Sequence, residues 1–556
     1  MKKFTKIQSG KTWIIISAIV ISSVAFIGFY EKDFEIAKNL DIFYTLFREV
    51  NLYYVDETDP GSLIKNGING MLRGLDPYTN YIPESKIEDL RFIHTGQYGG
   101  IGALIKKKGP KATVSEAYEN SPAHKAGLKA GDLIIEIDGH NIADKSIADL
   151  SDFLKGQPNT EVELLIERPG TEGTTIFTLV REKIDMKSVP HYQMLDDEIG
   201  YVRLTSFTQK AFTEVNAAVV DLKENQNMKS LVFDLRGNPG GLLFEAVKIM
   251  NLFVDKGQEI VSTKGKRKSF DKTYNTPKPA YDTIMPIAVL VNSKSASASE
   301  IVSGTMQDLD RGVIVGTRTF GKGLVQATRD LSYNTKLKVT TAKYYIPSGR
   351  CIQALDYSHR NKDGSVGHVP DSLISEFSTK NGRKVYDGGG IVPDVKTDNE
   401  QLSKLASLLY IKDIIFDFVT GYCLTHDSVP PAQEFIFSEK DYDDFVEFIM
   451  KRDFDYNTNS EELFKELIKI ADEEKYYDKA KPEFDALEKI LTHDLARDLQ
   501  IFKEEITDII AGEILQRYYF RQGSLEYDLK KDKMVNKAIE ILKDKEEYKT
   551  ILQTKM

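Results

Sequence analysis

The spacing of hydrophobic positions along this chain changes several times. Residues 12–30, TWIIISAIVISSVAFIGFY, run for nineteen residues without a charge, long enough to cross a bilayer hydrocarbon core of roughly 30 Å. Over 33–72 apolar residues return at helical spacing, as in FEIAKNLDIFYTLFREVNLYYV, and predict helices. The segment GLDPYTNYIP (74–83) then reads as a turn. From about 88 to 182 short apolar runs alternate with glycines, which predicts short strands. Residues 183–397 alternate strand-like and helix-like runs, as in α/β or mixed architectures. Within them the polar stretch 360–390 is expected to be a loop. From about 398 onward the pattern is helical and heavily charged. The expected division is therefore 1–32, 33–87, 88–182, 183–397 and 398–556, an α/β and α+β multidomain chain.

Charge adds direction to the first run. Lys2, Lys3, Lys6 and Lys11 precede it and EKDFE follows it, an asymmetry that puts the N-terminus in the cytoplasm. A signal peptide's apolar region is shorter and ends in small residues, whereas this one ends in FIGFY. An uncleaved signal anchor is the expectation, with a cleaved signal and a buried core helix as alternatives. The rest of the chain would then lie outside the inner membrane, facing the periplasm, or be secreted if the signal is cleaved. A net charge of −10 argues against nucleic acid as a partner. Cys351 and Cys423 are the only cysteines, too few for a thiolate metal site.

Two segments in the glycine-rich region belong together. YGGIGALI (98–105) pairs glycines with a short apolar strand, so that several backbone N–H groups can converge on an anion. Such a nest beside a strand edge can take a peptide's C-terminal carboxylate while the peptide adds as a strand. ENSPAHKAGLKAGDLIIEIDGHNI (119–142) reads as a capped short helix, a turn and a buried strand. Together they resemble a PDZ domain, with Tyr98, Gly99, Gly100, Ile101 and Gly102 as the carboxylate loop.

Three further loops carry candidate chemistry. In LVFDLRGNPGGLLFEAVKIMNLF (231–253) a strand runs through a glycine turn into a helix, whose N-terminus offers free N–H donors. In IAVLVNSKSASASEIVSGTMQDL (287–309) a buried strand meets a turn of small hydroxyl residues and then a helix. That turn suits either a helix N-cap or a nucleophile held on a sharp bend. In VIVGTRTFGKGLVQ (313–326) Lys322 lies between Gly321 and Gly323. Residues 316–322 satisfy G-x-x-x-x-G-K, but Gly323 stands where Ser or Thr should hold magnesium, and strands follow instead of a helix. Nucleotide binding is therefore set aside.

A serine nucleophile needs a base. None of the eight histidines lies between His191 and His359, so a lysine is the remaining option, and Lys322 is well placed. To act as a base it must be neutral, far below a lysine's ordinary pKa of about 10.4, which asks burial for roughly 4 kcal/mol. Phe320 and Leu324 offer an apolar setting.

DLRGNPGG, NSKSASASEI, MQD and TFGKGLVQ, in this order after a PDZ-like module, resemble the C-terminal processing peptidases, also called tail-specific proteases. The resemblance covers about 40–397 and implies a crotonase/ClpP-like protease core with an inserted PDZ β-barrel; the N-terminal membrane anchor, the helical regions after it and the helical C-terminal extension are read from the hydrophobic pattern instead. It implies Ser297 as nucleophile, Lys322 as general base and Gln326 as the residue orienting the lysine. The backbone N–H groups of Gly241 and Ala298 would form the oxyanion hole, and Asp308 would support the site structurally. Ser295 and Ser299 remain the competing registers, expected to pack the turn or cap the helix, and Glu300 reads as a first-turn charge favoured by the helix dipole. Substrates would be proteins or peptides with apolar C-terminal tails, and no metal or organic cofactor is implied. The helical extension could form a homo-oligomer interface, shield the site, bind a partner or simply be a solvated surface. Two other classes compete: a membrane-anchored PDZ scaffold with an inactive protease-like domain, and a crotonase-type acyl-CoA enzyme.

Overall fold

The computed structural model describes residues 33–398 and 402–553. The run at 12–30 expected to be a membrane anchor lies outside the described residues, and among those described no helix is long and apolar enough to cross a membrane. The chain divides into two units. One holds the residues up to Pro83 together with Thr328–Thr340, the other Glu84–Ala327 and Thr341 onward.

The first unit contains helices over 33–53 and Pro60–Arg73. Asp59 caps the second by accepting from Gly61 N and Ser62 N, and Pro60 sits at its first turn, where a missing N–H costs nothing. Asn80–Ile82 pairs antiparallel with Lys336–Lys338.

In the second unit, the glycine-rich region forms a sheet in the order Ala103–Lys108, Lys111–Ala117, Leu133–Ile137, Glu161–Glu167, Thr174–Val180, with Ala103–Lys108 at its edge. Helices Pro122–Lys125 and Ile147–Leu154 accompany it, each capped by a serine, Ser121 and Ser146. A core of Ile101, Val114, Ile134, Leu150, Leu154, Val162 and Leu164 fills the module.

The central sheet runs in the order His191–Met194, Ile199–Arg203, Ser230–Asp234, Ile287–Val291, Val313–Gly316, Val395–Lys396. Its first pair is antiparallel and the rest are parallel. Every residue of Ser230–Asp234 and Ile287–Val291 is buried, as parallel strands covered on both faces require. Side chains alternate between those faces. Leu231, Phe233, Ile287, Val289 and Val291 pack with helices Ala211–Asn225, Leu243–Met250 and Ala298–Asp308. Val232, Ala288 and Leu290 pack instead with Val535, Ala538, Ile541 and Leu542 of helix Lys533–Lys543. The second layer of this sheet thus comes from near the end of the chain.

The helical C-terminal region is not merely a solvated charged surface. Phe418, Phe445, Leu499, Ile510 and Ile514 build a core of their own. The region also grips the glycine-rich module through Lys106 with Asp413, Lys108 with Asp417 at 2.5 Å, and Arg521 with Glu116 at 3.3 Å. The expected loop at 360–390 needs correction too. It carries two small hairpins, Leu355–Arg360 with Val366–His368 and Glu376–Ser378 with Lys384–Tyr386. The three strands that lie within the segment have three residues each, and Leu355–Arg360 enters it only at Arg360, which leaves no periodicity to read in so polar a stretch. Cys351 and Cys423 are both free thiols.

Candidate active site

Strand Ile287–Val291 ends in a turn that Ser295 holds shut. Its hydroxyl donates to Leu235 O at 2.8 Å and accepts from Asn292 N at 3.0 Å. The hydroxyl of Ser299 donates to Asn238 O at 2.9 Å. Both serines are fully buried. Ser297, between them, is half-buried and sits at the N-cap position of helix Ala298–Asp308 with φ +56° and ψ −113°. A non-glycine residue at positive φ is strained and survives only where its surroundings dictate it. Ser293 and Lys294 are exposed turn residues.

The carboxylate of Glu300 dictates much of that conformation. It accepts from Ser297 N at 2.9 Å, Lys322 N at 2.9 Å, Gly321 N at 2.7 Å and Thr319 Oγ1 at 2.6 Å. The same oxygen, Oε2, takes both the Ser297 and the Lys322 amides. Burial pushes this carboxyl up to about 7 even against four donors that favour the ion. A second bridge lies on the carbonyl side. The hydroxyl of buried Tyr344 reaches Lys322 O and, at 3.2 Å, Ser297 O. Tyr344 is held opposite Thr263 by strand pairing. Two loops remote in sequence are therefore joined at both their amides and their carbonyls, with Lys322 half-buried beside Ser297. Of the two residues expected to surround the lysine with apolar groups, Leu324 is buried, but Phe320 is 47% exposed. Phe320 keeps its N–H on Ser295 O at 3.0 Å and its ring at the surface. Gln326 lies on strand Leu324–Asp330, half-buried, its Nε2 donating to Leu324 O at 3.3 Å.

The glycine turn after Ser230–Asp234 closes over the serine. Asn238 is buried and bridges Leu204 O, at 2.8 Å, to Gly240 N, at 2.9 Å. A Cβ on Gly240 would fall 2.8 Å from Ser297 Cβ and 2.9 Å from Ala298 N, so only glycine allows this approach. Phe207 N donates to Gly240 O and Leu242 N to Phe207 O, which turns the intervening Gly241 N–H away from Phe207. Among the described residues neither Gly241 N nor Ala298 N has a protein acceptor. Two donors facing the region of Ser297 suit an oxyanion. Asp308 ends the same helix, about 16 Å from Ser297 at 1.5 Å per residue. It pairs with fully buried Arg350 at 2.8 Å and accepts from Ser348 N at 2.9 Å, anchoring the helix's far end. Burial pushes the Asp308 carboxyl up against the pull of Arg350.

Tyr98, Gly99 and Gly100 lie on a strand paired with Glu182–Asp185, and Gly99 O accepts from Gly156 N at 3.1 Å. The chain turns at Gly102, with φ +72°, where a Cβ would fall 2.4 Å from Ser121 Cβ. Tyr118 N and Ser121 Oγ hold Gly102 O. The side chain of Ile101 is buried, and among the described residues neither Ile101 N nor Gly102 N has a protein acceptor. These amides open onto the start of the edge strand Ala103–Lys108.

Read from the sequence, Glu300 has only a helix-dipole role and Tyr344 has none, so the bridging parts of both come from the structure. The spacing S-x-x-E over Ser297–Glu300 was a usable sign, because a residue at that position reaches back to the N-cap amide.

The peptidase family S41 model matches residues 198–358, a PDZ domain model 113–168, and a model described as the C-terminal helical domain of a probable PDZ-protease 405–542. The carboxy-terminal-processing protease of Bartonella bacilliformis is 39% identical over 342 residues, covering 61% of this chain and 76% of that protein. A probable CtpA-like serine protease of Staphylococcus aureus is 35% identical over 357 residues, covering 63% and 70%. Among solved structures, the photosystem II D1 C-terminal processing protease is 28% identical, covers 65% of this chain and 88% of its own, and superposes with a TM-score of 0.36.

Proposed function

The chain belongs to peptidase family S41 as a carboxy-terminal-processing serine protease, and from that premise we propose that Ser297 is its nucleophile and Lys322 its general base. The observation that carries this reading is the double bridge. One Glu300 oxygen holds the Ser297 and Lys322 amides, and one Tyr344 hydroxyl reaches both their carbonyls. Ser295 and Ser299 have committed hydroxyls, which leaves Ser297 for chemistry.

In the proposed cycle neutral Lys322 takes the Ser297 Oγ proton as Oγ bonds to the substrate carbonyl carbon. The oxyanion receives the Gly241 and Ala298 N–H groups. Collapse breaks the C–N bond, and the leaving amine takes the proton from Lys322. A water then gives a proton to Lys322 and attacks the acyl-enzyme; release of the acid returns that proton to Ser297 Oγ. Gln326 orients the lysine, while Asp308 supports the helix at its far end. The residues that hold the geometry also speak against an inactive scaffold. The core is read as crotonase/ClpP-like.

The PDZ module supplies the substrate's address. A C-terminal carboxylate would lie on Ile101 N and Gly102 N, and the tail would add as a strand to the edge Ala103–Lys108 beside helix Ile147–Leu154. An apolar tail suits the small, apolar start of this groove, and tethering it raises the local concentration of the scissile bond. The lysines before residues 12–30 support an inner-membrane anchor with the catalytic part in the periplasm. Pairing of protomers stays a proposal for sedimentation to test.

The deciding experiment is digestion of a denatured model protein bearing an apolar C-terminus. Cleavage by the wild type, abolished in Ser297→Ala and in Lys322→Ala, is expected. Undiminished cleavage in either variant would overturn the assignment, and capture without cleavage by the wild type would favour the scaffold.

A further inference from the structure

The loop bearing Gly241 leaves the central sheet at Asp234, whose side chain is wholly buried. Four groups converge on this carboxylate: Arg236 Nη2 at 2.7 Å, Arg236 Nε at 3.0 Å, Arg236 N at 2.8 Å and Tyr201 Oη at 2.6 Å. A guanidinium has a further edge to satisfy. Here Arg236 Nη1 meets Asp532 Oδ2 at 2.7 Å. Asp532 stands at the start of helix Lys533–Lys543, and its other oxygen, Oδ1, caps that helix by accepting from Met534 N and Val535 N at 3.0 Å. Arg236 and Asp532 side chains are each 17% exposed, so the pair is largely shielded from water and its geometry is correspondingly well defined.

This pair is placed to aim the oxyanion loop. Immediately after Arg236 the chain turns through Gly237, whose N–H is held by Asn292 Oδ1 at 3.0 Å, and then Asn238, Gly240 and Gly241 follow. One edge of the guanidinium is fixed by the sheet, through Asp234, and another by the C-terminal helix. The helix is itself seated on the sheet by Val535, Ala538, Ile541 and Leu542. Arg236 is thus wedged between two rigid bodies, and the direction in which the loop departs depends on both.

We propose that Asp532, contributed by the C-terminal helical region, is a positioning residue for the oxyanion loop, acting through Arg236 on the direction of the Gly241 N–H. The proposal rests on the reading of Gly241 as an oxyanion donor. It gives the C-terminal region a role in the chemical step besides covering the sheet. A donor must be aimed at the place where negative charge develops, and small misplacements cost large factors in rate.

The test separates the carboxylate's two duties. Asparagine caps helices about as well as aspartate, so Asp532→Asn keeps the cap and removes the negative charge that faces Arg236. In the full chain, kcat on a peptide amide is expected to fall roughly tenfold with KM within about twofold. Affinity for a peptidyl boronate, whose serine adduct places an oxygen in the oxyanion hole, is expected to fall by a similar factor. Binding of an apolar-tailed peptide to the PDZ module should be unchanged, and Asp532→Glu should restore part of kcat. Rates are referred to the folded fraction measured by circular dichroism. Unchanged kcat in Asp532→Asn, or a loss of kcat with boronate affinity intact, overturns the proposal. If Asp532→Asn does not fold, Asp532→Glu carries the test: kcat lowered about threefold at constant KM supports it, and wild-type kcat overturns it. Activity persisting in Ser297→Ala would sink the reading of the site itself, an outcome distinct from any of these.

Discussion

The serine turn and the glycine loop at residues 98–102 both present backbone N–H groups, yet they are built in opposite ways. Around Ser297 almost every polar group is committed. Ser295, Ser299, Asn238 and Glu300 are buried, and each has its hydrogen bonds. At Ile101–Gly102 the amides open onto a sheet edge. A buried polar network fixes atoms to fractions of an ångström because any misfit leaves an unsatisfied group worth about 1–3 kcal/mol. An open edge, by contrast, can accept many tails by main-chain pairing. On the proposed reading, precision is kept where bonds would be broken and tolerance where tails would be recognised.

The sharpest way to break this contrast is within the triplet of serines. Ser297→Ala and Lys322→Ala should each lower kcat/KM by at least about a thousandfold. Ser295→Ala or Ser299→Ala should instead cost about 1–3 kcal/mol of stability and leave the folded enzyme active, as urea unfolding and peptide hydrolysis together will show. Gly241→Ala comes next. A Cβ there meets Phe207 O at 2.4 Å with φ at +149°, so a rate loss of roughly a hundredfold or more is expected. The matching change on the tolerant side, Gly102→Ala, should weaken tail binding about tenfold or more in fluorescence anisotropy. Its kcat on short untailed peptides should be unaltered.

Glu300 offers a pH test. Its carboxyl is raised in the folded chain to about 7, from 4.5. Between those values the folded state binds more protons than the unfolded state, so this group's contribution to stability is present in full below about pH 4.5 and is lost as pH rises through about 7. The loss amounts to about 3 kcal/mol. Glu300→Gln removes this component, so the stability of the wild type minus that of the variant should decline with pH across that window. A flat difference would show that the four donors hold the carboxyl ionised throughout. The variant should also lose about ten- to a hundredfold in kcat, because its single amide oxygen can serve only one donor pair, Ser297 N with Lys322 N or Gly321 N with Thr319 Oγ1, and its NH₂ then faces the donors of the other. The smallest effect is expected at the surface. Lys108→Met removes an exposed pair with Asp417 and should cost no more than about 1 kcal/mol.

How much of this was legible beforehand can be argued from particular residues. The strands LVFDL and IAVLV, the glycine turn between 237 and 241 and the hydroxyl turn at 295–299 were visible as local patterns. Their order carried the family resemblance. The strands inside 360–390 were not visible, because at three residues each they are shorter than any window in which alternation can be detected. Glu300 reads in the sequence as a first-turn charge favoured by the helix dipole, although its four bonds join it to a second loop inside the protein. First-turn glutamates look alike in sequence whether they face water or a second loop.

The chain's own order of residues determined the helices, the strands and the glycine positions, because periodicity and backbone sterics act over a few neighbours. Tertiary structure decided that the hydroxyls of Ser295 and Ser299 donate to Leu235 O and Asn238 O, that Glu300 and Tyr344 join two distant loops, and that helix Lys533–Lys543 covers the second face of the central sheet. Those outcomes depend on which donor meets which acceptor across long stretches of chain, and no local spacing encodes that pairing.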